Sequence, residues 1–355
     1  MWRALLSHDL PRSRLLAALL LFTVLGLLLA PFLFPGIKPM NVAAKVLVFM
    51  LLVVSYDLLL GYTGIVSFAH TMFFGIGAYG VAIASSRMGP GWDAIALGLG
   101  LALLASLLLS LVVGLASLRV KAIFFAMITL AVASSFLTLA SQLSEFTDGE
   151  DGLNFRLPEL LRPSTRFIEE PLWGVSIDGR LLSYYLLFST VLLLVLLMLR
   201  IVNSPFGRVL LAIRENAFRA EAIGYRVLQY RTLSNVLAAL FATMAGALLA
   251  IWLRYTGPET SMSFEIMLDI LLIVVIGGMG TIYGAVIGAL LFVLAQNYLQ
   301  DLMRLAEGPL GNVPVLGALL SPDRWLLWLG VLFVLSVYHF PTGIVGKLRA
   351  LAQRS

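Results

Sequence analysis

The sequence predicts an all-α integral membrane protein with eight to ten transmembrane helices and both the N- and C-termini in the cytoplasm. Three observations carry this. Apolar runs of about 20 residues, enough to cross a bilayer as a helix, recur from Leu15 to Phe340. Only 12% of the 355 residues are charged and 60% are hydrophobic, where soluble domains carry roughly 25% charge; mean hydropathy is +0.98. Finally, Lys and Arg gather in alternate connections, and the Lys/Arg-rich side of a membrane protein is the cytoplasmic one.

The elements follow in order. A short basic start (Arg3, Arg12, Arg14) precedes a first span over Leu15–Phe34, stopped at Pro35-Gly36. That run exceeds the 7–15 apolar residues of a signal peptide and lacks an A-x-A site, so it reads as an anchor. Asn41–Leu60 is the second span, carrying Lys45 near its outer end and Asp57 near its inner end. Gly61–Ser86 follows, with small residues that suit close helix packing or an interrupted helix. Ala94–Leu118, stopped by Arg119 and Lys121, and Ile123–Leu143 are the next two spans. Residues 144–182 form a polar loop with eight acidic residues, including Glu145, Asp148, Glu169, Glu170 and Asp178, against four arginines, and with Pro158, Pro163 and Pro171. Such a loop belongs outside. Tyr184–Arg200 and Thr232–Leu253 flank a basic island at residues 203–231. Phe264–Ile276 and the helix opening at Gly277–Leu299 lead to a second outer loop with Pro309, Gly311, Pro314 and Pro322. Trp325–Phe340 is the last, short span before a basic tail. The whole of 1–355 reads as one transmembrane domain, and either glycine-rich turn, at Gly61 or Gly277, is a candidate re-entrant segment.

The island carries Arg208, Arg214, Arg219, Arg226 and Arg231, which place it in the cytoplasm. Ser204 and Pro205 are helix-start signals, and Gly224 is placed to close the helix in a left-handed conformation. Between them Leu210, Ile213, Ala217, Ala220 and Ile223 fall near one face, Phe218 borders it, and Glu215 and Arg219 are spaced to pair at i,i+4. The bland alternative is a solvated loop whose arginines only set topology.

Several chemistries lack their residues. There is no cysteine, hence no disulfide or thiol nucleophile, and His8, His70 and His339 are too scattered in sequence to suggest a metal cluster. No phosphate-binding G-x-x-x-x-G-K-[ST], H-E-x-x-H or G-x-S-x-G motif occurs. The net charge of +5 follows from cytoplasmic Arg and Lys and gives no case for nucleic acid. Ser67 and His70, at i,i+3, are the one close pair an intramembrane hydrolase would use, without a second group to orient the ring. Asp57 is the residue a proton-coupled carrier would use, though so near a helix end it is placed to reach water, Tyr56 or Tyr62.

Three stretches resemble one family. Leu58–Gly80 matches G-x-T-G-x-x-S-x-x-H with G-A-Y downstream, Ser204–Gly224 matches S-P-x-G-R-x-x-x-A-I-R-E-x-x-x-x-A-E-A-x-G, and Ile276–Ala289 matches G-G-x-G-T-x-x-G-x-x-x-G-A. In this order they resemble the LivM-type permease subunits of branched-chain amino-acid ABC importers. The resemblance implies no catalytic residue and no cofactor in this chain. It implies a homologous LivH-like second permease, two ABC ATPase subunits inside, a periplasmic solute-binding protein outside, and a place in the bilayer of the cell inner membrane. By carry-over Arg214, Glu215, Arg219, Glu221 and Gly224 would lie in or beside the ATPase-coupling helix, with Ala220 on its apolar face. In the glycine-rich stretch Gly61 and Gly64 leave room for helices or substrate to approach the backbone, and Thr63, Ser67 and His70 supply nearby polar groups, which makes these five the candidates for the substrate pathway, with tight helix packing as the alternative. Glu221-Ala222 matches the start of the E-A-A importer signature, with Ile223 in place of its second alanine. In the outer loop Thr147–Gly152 resembles a T-G-G-x-x-G turn with Asp148 in place of a glycine. Relatives that carry urea, short amides or aromatic acids leave the cargo open.

Overall fold

The computed structural model describes residues 6, 11, 13–117, 122–168, 175–310, 321–340 and 342–354. Arg3, His8, Arg12, Arg119, Lys121, Glu169, Glu170, Pro171, Gly311 and Pro314 therefore lie outside the described residues. The helices are α1 (Arg14–Leu33), α2 (Ile37–Asp57), α3 (His70–Met88), α4 (Trp92–Ser117), α5 (Ala122–Gln142), α6 (Gly179–Val202), α7 (Pro205–Glu215), α8 (Ala217–Ala222), α9 (Val227–Leu253), α10 (Phe264–Gly277), α11 (Ile282–Leu310), α12 (Trp325–His339) and α13 (Gly343–Arg354). Among the described residues nine segments are long and apolar enough to cross a membrane, within the eight to ten expected. The helix α3 is not one of the nine, since His70, three glycines and Arg87 dilute its apolar run.

The helix α2 is the hub. Its apolar stretch is 94% buried, where those of α4 and α5 are 28% and 22% buried and present their Leu, Ile and Phe side chains outward. It packs against α6, α9, α10 and α11. The most extensive contact in the molecule is between α3 and α9, and glycine makes it. A Cβ at Gly77 would overlap the Thr243 carbonyl, and one at Gly246 would overlap the Phe74 carbonyl. Lipid tails are as apolar as leucine, so helices in a membrane associate through such close approach and through polar contacts. The second kind is present as well. Asn235 donates to the Ser110 carbonyl (2.9 Å) and Thr243 to Ser106 Oγ (2.6 Å), tying α9 to α4. Tyr184 and Tyr185 donate to the carbonyls of Leu27 and Leu28 (2.5 and 2.9 Å), tying α6 to α1.

Helix ends follow local chemistry. Ser13, Asp178 and Ser263 accept from the first-turn amides of α1, α6 and α10, satisfying donors that have no intrahelical partner. The loop at 144–182 folds back on the bundle: Leu153–Asn154 (β1) pairs antiparallel with Tyr255–Thr256 (β2) beyond the end of α9. Asp148 has φ +56°. It adopts the left-handed conformation a glycine takes readily and aspartate tolerates better than most residues, which accounts for Asp at a glycine position of the resembled turn. The basic tail, read from sequence as a tail, is helical: α13 buries Val345 and packs on α10 and α11.

Gly246→Val and Gly77→Val are expected to destabilise the protein by about 1–3 kcal/mol each through overpacking. Gly100→Val, where a Cβ meets nothing within 4 Å, is expected to be neutral. Thermal unfolding in detergent checks this; equal melting of all three variants would contradict the packing account.

Candidate functional site

The island folds as two helices. Ser204 takes the extended N-cap backbone, but its hydroxyl donates to the Ile201 carbonyl (2.6 Å) instead of accepting from the helix. Gly207 lets α7 approach α6, since a Cβ there would overlap the Val202 carbonyl. The expected single helix breaks at Asn216 (φ −159°, ψ 99°), whose side chain accepts from the Arg219 amide (2.9 Å) and caps α8. Gly224, at φ +98°, closes α8 as expected.

The break redistributes the faces. Val209, Ile213, Ala220 and Val227 form a small core inside the chain, so Ile213 and Ala220 brace the two helices and are not free to fill a partner's groove. Phe218 and Ile223 are 82% and 68% exposed; Ile223 thus leaves the face that its spacing predicted. Glu215 lies before the break and Arg219 after it, both exposed, and they do not pair: the one salt bridge among the described residues joins Lys38 and Asp301. Glu221 and Gly224 are exposed too.

Arg214 reaches from α7 to the membrane helices. The hub helix α2 ends in a π-helical turn, Leu58–Thr63, closed by Gly64 at φ +71°. The wider turn is a recurrent device at functional sites. Here the Leu59 carbonyl takes the Ile65 amide (3.0 Å) and the Thr63 hydroxyl (2.5 Å), while the Gly61 carbonyl accepts from Arg214 Nη1. A Cβ at Gly64 would stand 3.3 Å from Arg214 Cγ, and one at Gly280 would stand 2.8 Å from Arg214 Nη1. Gly280, at φ +78° in the turn between α10 and α11, donates its amide to Asp57 Oδ1 (2.8 Å). A Cβ at Gly61 would overlap both that carboxylate and the Gly280 amide. Asp57 is fully buried and close enough to Arg214 to feel its charge. It is not solvated, as its position near a helix end suggested, but binds α2 to the Gly280 turn. Three stretches, each singled out in the sequence, meet at one junction of an arginine, an aspartate and three glycines without side chains to keep them apart.

The other pathway residues are satisfied within the chain. Ser67 and His70 do not share a helix: Ser67 precedes α3 and accepts from the Ala69 amide (3.3 Å), while His70 opens α3 and its Nε2 meets Ser55 Oγ (2.8 Å) with the Tyr56 ring edge-on at 5.2 Å. The pairing of Ser67 with His70 that an intramembrane hydrolase would use is therefore not formed; His70 is engaged by Ser55 instead. Thr63, Ser67 and His70 are all buried, and Gly64 is exposed.

Comparison with known proteins decides the family. Residues 39–337 match the family described as branched-chain amino acid transport system, permease component. The chain belongs to that family. It is 27% identical over 306 residues to the high-affinity branched-chain amino acid transport system permease protein LivM of Salmonella typhimurium, covering 81% of this chain and 69% of the relative. Against LivM of Escherichia coli the identity is 26% over 303 residues, with the same shares, and against BraD of Pseudomonas aeruginosa it is 26% over 309 residues, 84% of this chain and 92% of the relative. No solved structure matches. The matched region contains all three stretches of the junction, and the chain is a multi-pass membrane permease.

The junction carries a prediction. A hydrogen bond to a charged group contributes about 1.5–3 kcal/mol, so its loss frees the backbone it held by tenfold or more. Arg214→Ala and Asp57→Ala are each expected to raise amide hydrogen exchange in residues 58–64 and 278–281 by about that factor, with exchange in α4 and α5 unchanged. Unaltered exchange in both segments would show that the junction is held by other contacts.

Proposed function

We propose that this chain is the membrane-spanning permease subunit of an ATP-driven importer for branched-chain amino acids in the cell inner membrane. Its ends and residues 203–231 lie in the cytoplasm and residues 144–182 lie outside. A homologous LivH-like permease completes the pathway, two ABC ATPase subunits attach inside, and a periplasmic solute-binding protein delivers the cargo. The chain hydrolyses nothing itself, and movement is by alternating access.

One observation carries this reading beyond family membership: a capped amphipathic helix pair braced from within, with its apolar tips outward and one arginine reaching into the membrane helices. Phe218 and Ile223 are the apolar anchors for an ATPase groove, and exposed Glu215, Arg219 and Glu221 supply register at its rim. Displacement of α7–α8 by ATPase closure would pull on Gly61 through Arg214 and so on the end of the hub helix. Docking and transmission are thus assigned to different residues.

The two roles separate by mutation. Phe218→Glu with Ile223→Glu is expected to cut co-purification of the ATPase by tenfold or more, since truncating central anchors costs about 2 kcal/mol or more. Arg214→Ala is expected to leave the ATPase attached while amino-acid uptake by the reconstituted complex falls with hydrolysis continuing. Full ATPase recovery from the double glutamate variant would remove α8 from the interface, and normal uptake by Arg214→Ala would remove the arginine from the transmission path.

A further inference from the structure

Away from the junction, the first half of α2 faces a second polar centre. Lys45 on α2, Asp269 on α10 and Gln296 on α11 are all half-buried within spans and line a cavity of about 720 Å³, within the size range of small-ligand sites. Lys45 lies about 18 Å along the helix from Asp57. Charged groups at membrane depth are costly and mark substrate or ion paths. Their arrangement here is specific. Lys45 Nζ donates to Gln296 Oε1 (2.8 Å), and Gln296 Nε2 donates to Asp269 Oδ2 (3.1 Å). The neutral amide stands between the cation and the anion, satisfying each with its complementary end. Lys38, the other cation of the cavity, is already committed to Asp301. Phe49, Phe74 and Trp252 supply apolar wall.

We infer that this cavity is a transit site for a zwitterionic α-amino acid, which displaces the Gln296 amide so that its carboxylate takes Lys45 and its ammonium takes Asp269. The amide places an acceptor toward the lysine and a donor toward the aspartate, and an amino acid offers the same pair with full charges on a short spacer. Each existing bond joins one ion to a neutral amide end, and the ligand would replace both with ion–ion contacts, whose attraction grows as the local dielectric falls. The aliphatic side chain goes to the Phe49, Phe74 and Trp252 wall, while Glu265, one turn from Asp269 on α10, adds negative charge on the ammonium side. This deepens the importer reading and rests on it: selection begins before the cargo reaches the cavity, and the cavity selects again for the zwitterion.

The test uses the complete transporter with its ATPase subunits in nanodiscs, binding protein omitted, and three radiolabelled probes: leucine, 3-methylbutylamine, which lacks the carboxylate, and 4-methylpentanoate, which lacks the ammonium. Wild type is expected to bind leucine about tenfold or more tighter than either analogue. Lys45→Met should weaken leucine and 4-methylpentanoate but leave 3-methylbutylamine nearly unchanged. Asp269→Asn should weaken leucine and 3-methylbutylamine but spare 4-methylpentanoate. A residue pair that only held the helices together would lose all three probes in parallel, and that pattern, or no leucine binding by wild type, overturns the proposal. A wild-type complex that takes up no amino acid even with its binding protein present would instead sink the importer reading beneath it.

Discussion

The guanidinium of Arg214 on the carbonyl of Gly61 is the contact on which the rest of the arrangement depends. It joins a surface helix to the end of the most buried helix of the bundle, across 153 positions of sequence. A π turn makes it available, because the i→i+5 closure onto Leu59 leaves the Gly61 carbonyl for a side chain from outside. The carboxyl of Asp57 ends α2 directly before that turn and is held by the Gly280 amide. In a low-dielectric interior an unpartnered charge or carbonyl is expensive. The three segments therefore hold their relative positions, and displacing one strains the other two.

Glycine permits this closeness in two ways. At Gly64 and Gly280 the backbone takes positive φ, which side-chain-bearing residues seldom adopt. At Gly61, Gly77, Gly246 and Gly277 the conformation is ordinary and the constraint is space: a Cβ would run into a neighbouring backbone. Without a hydrophobic force to hold helices together in lipid, such contacts, supplemented by the Tyr184, Asn235 and Thr243 hydrogen bonds, set how the bundle packs.

Much of this was legible in the sequence. Apolar run length gave most spans to within a few residues, as at α1, α4, α5 and α6, which are rich in Leu, Val, Ala and Phe; α11 instead continues to Leu310, through Pro309 of the expected outer loop. The amphipathic island was visible from its spacing, and the three stretches of the junction from their resemblance. Other features depended on contacts that no local pattern encodes. The break at Asn216 had a local signal, an Asn three residues before Arg219, but it competed with a helical spacing that ran through it. Ile223 fell on the wrong side for that reason. Asp57 looked like a helix-end acid near water, since nothing next to it in sequence reveals the Gly280 amide 223 positions away. Lys45, Gln296 and Asp269 were likewise separate oddities until folding brought α2, α10 and α11 together.

The claim that the island and the membrane junction move as one unit is open to direct measurement. The chain has no cysteine, so spin labels at Arg208→Cys and Met279→Cys, both exposed positions, report one distance between α7 and the Gly280 turn. Pulsed electron-electron double resonance on the assembled transporter, nucleotide-free and ATP-bound, should return a single narrow distance that is the same in both states. A distribution that shifts or splits on ATP binding would contradict the account, because the island would then move without the turn that Arg214 and Asp57 are held to bind to it.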